Sequence, residues 1–180
     1  GTRSHDKDFH SIREPLKKWL NTQSHARLSI VGKLEWRNSG LPGEKITARP
    51  WVDYFTLPYF INQHEALLAP LPASQFNEAK SHVKFIEAAA VGVPLIASST
   101  PDIARHQVAG LMLADSGAQW YERLLTIMEP DFRKEHAPGL RAYAQLHCSA
   151  SCYTEPLIQA WESGLGVPDF ANKNTLAAAA

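Results

Sequence analysis

Lys80, Lys84 and Glu87 fall in one short polar stretch, Lys80-Ser-His-Val-Lys84-Phe-Ile-Glu87, just after the loop-forming run Pro70-Leu-Pro-Ala-Ser. If Ser81 caps a helix there, Lys84 and Glu87, spaced by three, share one of its faces. The free N–H groups of such a helix start, with Lys80 beside them, attract phosphate. A carboxylate at Glu87 accepts hydrogen bonds from ribose hydroxyls. The chemistry these residue types suit is therefore the holding of a nucleoside diphosphate. On spacing alone the ordinary reading is a solvated helix start whose ion pairs contribute about 0.2–0.5 kcal/mol each. Ser98, Ser99 and Thr100 follow the next apolar run, where they either donate to the same phosphate or serve simply as caps and turns.

The surrounding pattern supplies elements to carry these residues. Phe9, Ile12, Leu16, Trp19 and Leu20 recur at the helical period, with Asp6 or Asp8 as cap. Arg27 to Val31, closing on Gly32, reads as a buried strand, and residues 37–44 as a loop. Ile46 to Trp51 forms a second strand despite Pro50, before a helix through Tyr54, Leu57, Phe60 and Ile61 that Pro58 shortens or kinks. Further strands fall at Ala66 to Pro70, Leu95 to Ala97 and Leu111 to Leu113, with a helix from Ser81 to about Val91 between the first two. Gly92 and Pro94 make the turn out of that helix. Helices then cover Gln119 to Met128, Phe132 to Leu146 and Thr154 to Glu162. Strands alternating with helices demand crossovers, so the expected fold is α/β, a Rossmann-like doubly wound parallel sheet. Such a sheet binds its ligand beyond the carboxyl ends of its strands, where the polar stretches above are found.

Length and charge narrow the function classes. The 180 residues suit one domain, taken as residues 1–168, and the polar, alanine-ended run 169–180 reads as a loose tail of a trimmed fragment. Eighteen basic residues balance eighteen acidic ones, which argues against a nucleic-acid protein and requires any anion to be held locally. Two cysteines, Cys148 and Cys152, make no disulfide framework, and no apolar run long enough to span a bilayer is present, so a reducing cytoplasmic setting is expected. The histidines show no metal-ligand spacing, and no metal site is expected. Trp19, Trp120 and Trp161 stand at helical spacings that suit core packing, and Trp36 and Trp51 lie near loops.

From Ala69 to Ser98 the chain reads APLPASQFNEAKSHVKFIEAAAVGVPLIAS. This run resembles the signature of GT-B glycosyltransferases of the large retaining group 1, or family 4. An APL strand, an FN-x-x-KS-x-x-K-x-x-E helix start and a G-x-P-x-IAS turn and strand recur there in this order. The opening GTRSHDKDF is similar to the loop that ends the first strand of the donor domain in these enzymes. The resemblance implies a single GT-B half-domain in which Glu87 binds the donor ribose, Lys80 or Lys84 approaches the diphosphate, and Gly1, Thr2 and His5 line the cleft. Many relatives carry a second glutamate eight positions before the first, where this chain has Ala79, with Glu78 one step away.

The chemistry so implied is transfer of a sugar from a nucleoside-diphosphate sugar to an acceptor hydroxyl, with retention and without an obligatory metal or other cofactor. Lys80 and Lys84 would stabilise charge on the departing diphosphate. The acceptor would enter from a separate N-terminal domain, in polysaccharide or glycoconjugate synthesis. The full-length protein would work in the cytoplasm or at the inner face of the membrane, peripherally associated with it. A non-catalytic nucleotide-binding or assembly module of the same fold is the alternative. An epimerase would need acid–base residues that cannot be located, and a receiver-type domain would need an acidic cluster at its first strand. The 180 residues alone are expected to bind nucleotide weakly and to transfer nothing; an assay of the purified chain with nucleoside-diphosphate sugars checks this, and measurable turnover overturns it.

Overall fold

The computed structural model describes residues 5–163. Their elements begin with α1 (Asp6–Ser11), α2 (Arg13–Thr22), β1 (Leu28–Val31), β2 (Ile46–Arg49), α3 (Leu57–Ile61) and β3 (Leu67–Ala69). There follow α4 (Gln75–Glu78), α5 (Val83–Ala90), β4 (Leu95–Ala97), α6 (Pro101–Ala104) and β5 (Leu111–Leu113). The last helices are α7 (Gly117–Thr126), α8 (Phe132–His147) and α9 (Ser151–Ser163).

Strands β3, β4 and β5 run parallel in that order, with Leu67 opposite Leu95 and Leu95 opposite Leu111. All of β4 is buried, as in a strand covered on both faces. Because side chains alternate along a strand, Ile96 joins one core cluster and Leu95 and Ala97 the other. The first cluster packs Ile96 against Phe9, Leu16, Leu20, Trp120 and Leu124 of α1, α2 and α7. The second packs Leu95 and Ala97 against Phe85, Ile103 and Leu140 of α5, α6 and α8. Strands β1 and β2 form a second parallel sheet, Leu28 opposite Ile46, and Ile30 of β1 shares the first cluster with Ile96. The architecture is thus Rossmann-like α/β, its strands hydrogen-bonded in two parallel groups with a common core.

Local chemistry accounts for the departures from the sequence expectations. The first helix is two helices, because Pro15 has no N–H and its ring crowds the carbonyl four residues back, at Ser11. Neither aspartate caps it: Asp6 Oδ1 accepts the Glu35 N–H at 3.0 Å, and Asp8 is buried inside α1. Pro58 shortens α3 without kinking it: the helix begins at Leu57, leaving Tyr54 outside, because the first helical turn needs no N–H at the proline. Ser81 caps nothing. Helix α5 starts one residue later behind His82, which makes no side-chain cap bond, and Ser74 caps the additional short helix α4 through the Asn77 N–H at 3.1 Å. Trp19 and Trp120 are in the core as expected, but Trp161 is 89% exposed on α9, which buries no residue. Gly92 does make the turn into β4: its φ is +68°, and a Cβ there would meet the Arg141 guanidinium at 2.8 Å.

Leu20 is fully buried where α2 meets both sheets. Leu20→Ala is expected to cost about 2–5 kcal/mol in denaturant unfolding, and a loss below 1 kcal/mol would contradict this account of the core.

Candidate functional site

The loops that leave β3, β4 and β5 meet at the carboxyl edge of their sheet. Leu71, just beyond β3, donates its N–H to Ser98 Oγ at 2.9 Å, and Ser99, beyond β4, donates its N–H to Asp115 Oδ1 at 2.8 Å. Asn77 of α4 braces the first loop by donating from Nδ2 to the Pro72 carbonyl at 2.8 Å. Between these loops lies a hollow of about 70 Å³, lined by residues 71–74, Asn77, Glu78, Ser98–Thr100 and Asp115. Thr100 is 5% exposed, and its hydroxyl has no hydrogen-bond partner among the described residues. Leaving such a group unpaired costs about 1–3 kcal/mol, and Trp19 Nε1 and His106 Nε2, away from the hollow, are buried in the same way.

The expected residues divide. Ser98, Ser99 and Thr100 line the hollow, although the Ser98 hydroxyl already accepts from Leu71. Lys80 lies off the helix, 3.8 Å from Asp8 Oδ2, and the same Asp8 oxygen lies 2.7 Å from His5 Nδ1, so the buried Asp8 brings His5 and Lys80 together. Lys84 and Glu87 do share a face of α5, where they pair with each other at 2.7 Å. Ser81 is exposed in the turn before α5. Gly1 and Thr2 lie outside the described residues.

The sequence reading did not find Asn77, Glu78 or Asp115 as lining residues. Ser74-x-x-Asn77 and Ser116-x-x-Gln119 carried the signal, as N-caps that place α4 and α7 at the rim; the second is a complete capping box. It also passed over a polar cluster behind α5. Asp102 Oδ2 accepts the His82 N–H at 2.8 Å and lies 2.9 Å from His82 Nδ1, while Asp102 Oδ1 pairs with Arg105 Nε at 2.8 Å. Partial burial alone would raise the Asp102 carboxyl; the His82 backbone bond and the charges of His82 and Arg105 outweigh it and hold the group below the usual range.

His106 stacks on Phe85 with ring centroids 4.4 Å apart, and its Nδ1 lies 3.2 Å from the Tyr143 hydroxyl. Burial, then the positive charges of His82 and Arg105, push its pKa down to about 4. The unfolded chain therefore binds this proton more readily than the folded one. The stability it contributes is complete above about pH 6.5 and is lost as the pH falls towards about 4. Unfolding midpoints measured between pH 7 and pH 4 are expected to fall less steeply in His106→Gln than in the wild type; parallel curves would contradict this.

Among the described residues no helix is long and apolar enough to cross a membrane. Over residues 10–153 the chain matches the family described as glycosyl transferase-like, a span that takes in all five strands and the whole lining of the hollow. No curated protein matches it. The chain belongs to the glycosyl transferase-like family, which ties its α/β fold to sugar transfer in general.

Proposed function

We propose that the chain holds the donor of a sugar transfer, a nucleoside-diphosphate sugar, at the carboxyl ends of β3, β4 and β5. The observation that carries this reading is the hollow at that edge, lined by the hydroxyl residues Ser98–Thr100 and the carboxylate residues Glu78 and Asp115. At about 70 Å³ the hollow holds one group of a ligand, since whole small-molecule sites occupy roughly 300–1,000 Å³. Glu78 and Asp115 repel an anion there but accept hydrogen bonds from hydroxyls, so the hollow suits a sugar better than a phosphate.

The diphosphate then belongs with Lys80, Lys84 and the start of α5, and the nucleoside ribose with Glu87. Charge that grows on the departing diphosphate is stabilised by the two lysines, which is electrostatic preorganisation with no proton to move. Transfer with retention to an acceptor hydroxyl, presented by a separate acceptor domain in polysaccharide or glycoconjugate synthesis, completes the reading. The mutual pairing of Lys84 and Glu87 at 2.7 Å favours a second one, a recognition module that binds nucleotide and transfers nothing. Nucleotide binding indifferent to charge reversal at Glu87 would select that module.

Thermal shift or NMR titration of the full chain with UDP, GDP and dTDP, with CMP as a monophosphate, tests the donor site. One diphosphate is expected to stabilise the chain selectively, and Glu87→Ala and Lys84→Ala to weaken its binding. Ser99→Ala removes an exposed hydroxyl from the lining of the hollow, and a loss of about tenfold is expected in the binding of a nucleoside-diphosphate sugar but not of the bare diphosphate. Full binding of the nucleoside-diphosphate sugar by Ser99→Ala, or no response to any nucleotide, overturns the reading.

A further inference from the structure

Two segments of the proposed site, the hydroxyl loop Ser98–Thr100 and the start of α5, are separated in sequence by a helix, a turn and β4. Their relative position therefore needs a tertiary contact. Asp102 stands two residues beyond Thr100, and its carboxylate reaches across to α5, accepting the His82 N–H at 2.8 Å. His82 is the residue whose carbonyl receives the first N–H groups of α5, from Phe85 at 2.8 Å and Ile86 at 3.1 Å. A bond to its backbone accordingly fixes the first turn of the helix that carries Lys84 and Glu87. His82 offers no side-chain cap of its own. Asp102, from another helix, accepts the N–H of this N-cap residue, the donor that the N3 side chain of a capping box takes elsewhere.

Arg105 closes the arrangement. Its Nε lies 2.8 Å from Asp102 Oδ1, and its Nη2 lies 2.7 Å from His82 Nδ1, so carboxylate, guanidinium and imidazole form a ring of three contacts. On its other side the hydroxyl loop is anchored twice, through Ser98 Oγ to the Leu71 N–H and through the Ser99 N–H to Asp115. The loop is thus tied to β3 and β5 by those bonds and to α5 by Asp102.

We propose that Asp102 is a positioning residue that sets the hydroxyl loop Ser98–Thr100 and the first turn of α5 in one arrangement. Its consequence for ligand binding rests on the donor reading above; the linkage itself does not. Its action is on the backbone of His82 and through Pro101, the one residue between it and Thr100. A charged acceptor serves best because two cationic or donor groups converge on it, and an amide keeps one acceptor oxygen while losing the charge.

Amide hydrogen exchange of the full chain, without ligand, compared among the wild type, Asp102→Ala and Asp102→Asn, tests the linkage. In Asp102→Ala the amides of His82–Phe85 and of Ser98–Thr100 are expected to exchange at least about tenfold faster together, while the amides of β4 stay protected. Asp102→Asn is expected to recover most of that protection. Faster exchange in only one of the two segments, a uniform rise across the chain, or no change in either variant overturns the proposal. UDP and GDP affinities in the same proteins separate the two ideas: no binding by the wild type defeats the donor reading while the exchange pattern still decides the linkage. Where the wild type binds, a loss of about tenfold in Asp102→Ala with substantial rescue in Asp102→Asn supports the proposal, and equal affinity in all three overturns its functional part.

Discussion

Strand β4 is the constraint on which the rest depends. Leu95, Ile96 and Ala97 are each at most 1% exposed, so both faces of this strand are covered, and its neighbours run parallel, which requires their connections to cross over the faces. Helices α1, α2 and α7 answer Ile96, and α5, α6 and α8 answer Leu95 and Ala97. Once every strand enters from the same end, every loop leaves at the opposite end. The gathering of Pro70–Ser74, Ser98–Thr100 and Asp115 at one edge follows from burying three apolar residues on two sides.

That edge is ordered by bonds between side chains and backbone, with the acceptors coming from neighbouring loops. Ser98 Oγ, Asp115 and Asp102 each take a backbone N–H from a different segment, at 2.9, 2.8 and 2.8 Å. These acceptors are spent on the fold. The Thr100 hydroxyl is left out of that set, buried without a partner among the described residues. Loops bonded to one another around the hollow need less ordering than free ones when a group enters it.

The elements were legible in the sequence wherever their signals were local. Strands β4 and β5 match their expected bounds, and Gly92 makes the turn that its position before Pro94 suggests. The break at Ile12 was also local, written in Pro15, but the strong apolar period on either side of it masks the interruption. Among the residues lining the hollow, Ser98–Thr100 were readable because hydroxyls directly follow an apolar run. Glu78 and Asp115 were not, since each reaches the hollow only through the packing of a capped helix or a neighbouring strand. The capping at Ser81 failed for a related reason. No side chain caps α5; the residue before it, His82, is held instead by Asp102, twenty residues away, and no periodicity reports a contact made across β4.

Under the donor reading, the pairing of both lysines with carboxylates does not withdraw them from a diphosphate. Lys84 is more than half exposed in its contact with Glu87, and an exposed ion pair contributes only about 0–1 kcal/mol. Lys80 lies 3.8 Å from an Asp8 oxygen that is also 2.7 Å from His5, so that carboxylate is already served by a closer partner. A diphosphate carries more charge than either carboxylate and offers more acceptor oxygens, and exchanging one partner for the other costs little. The chain has no net charge at neutral pH with its histidines uncharged, so no long-range field assists the encounter. Attraction must come from these two lysines at short range, which is why the geometry that holds α5 against the hydroxyl loop matters more here than the total number of basic residues.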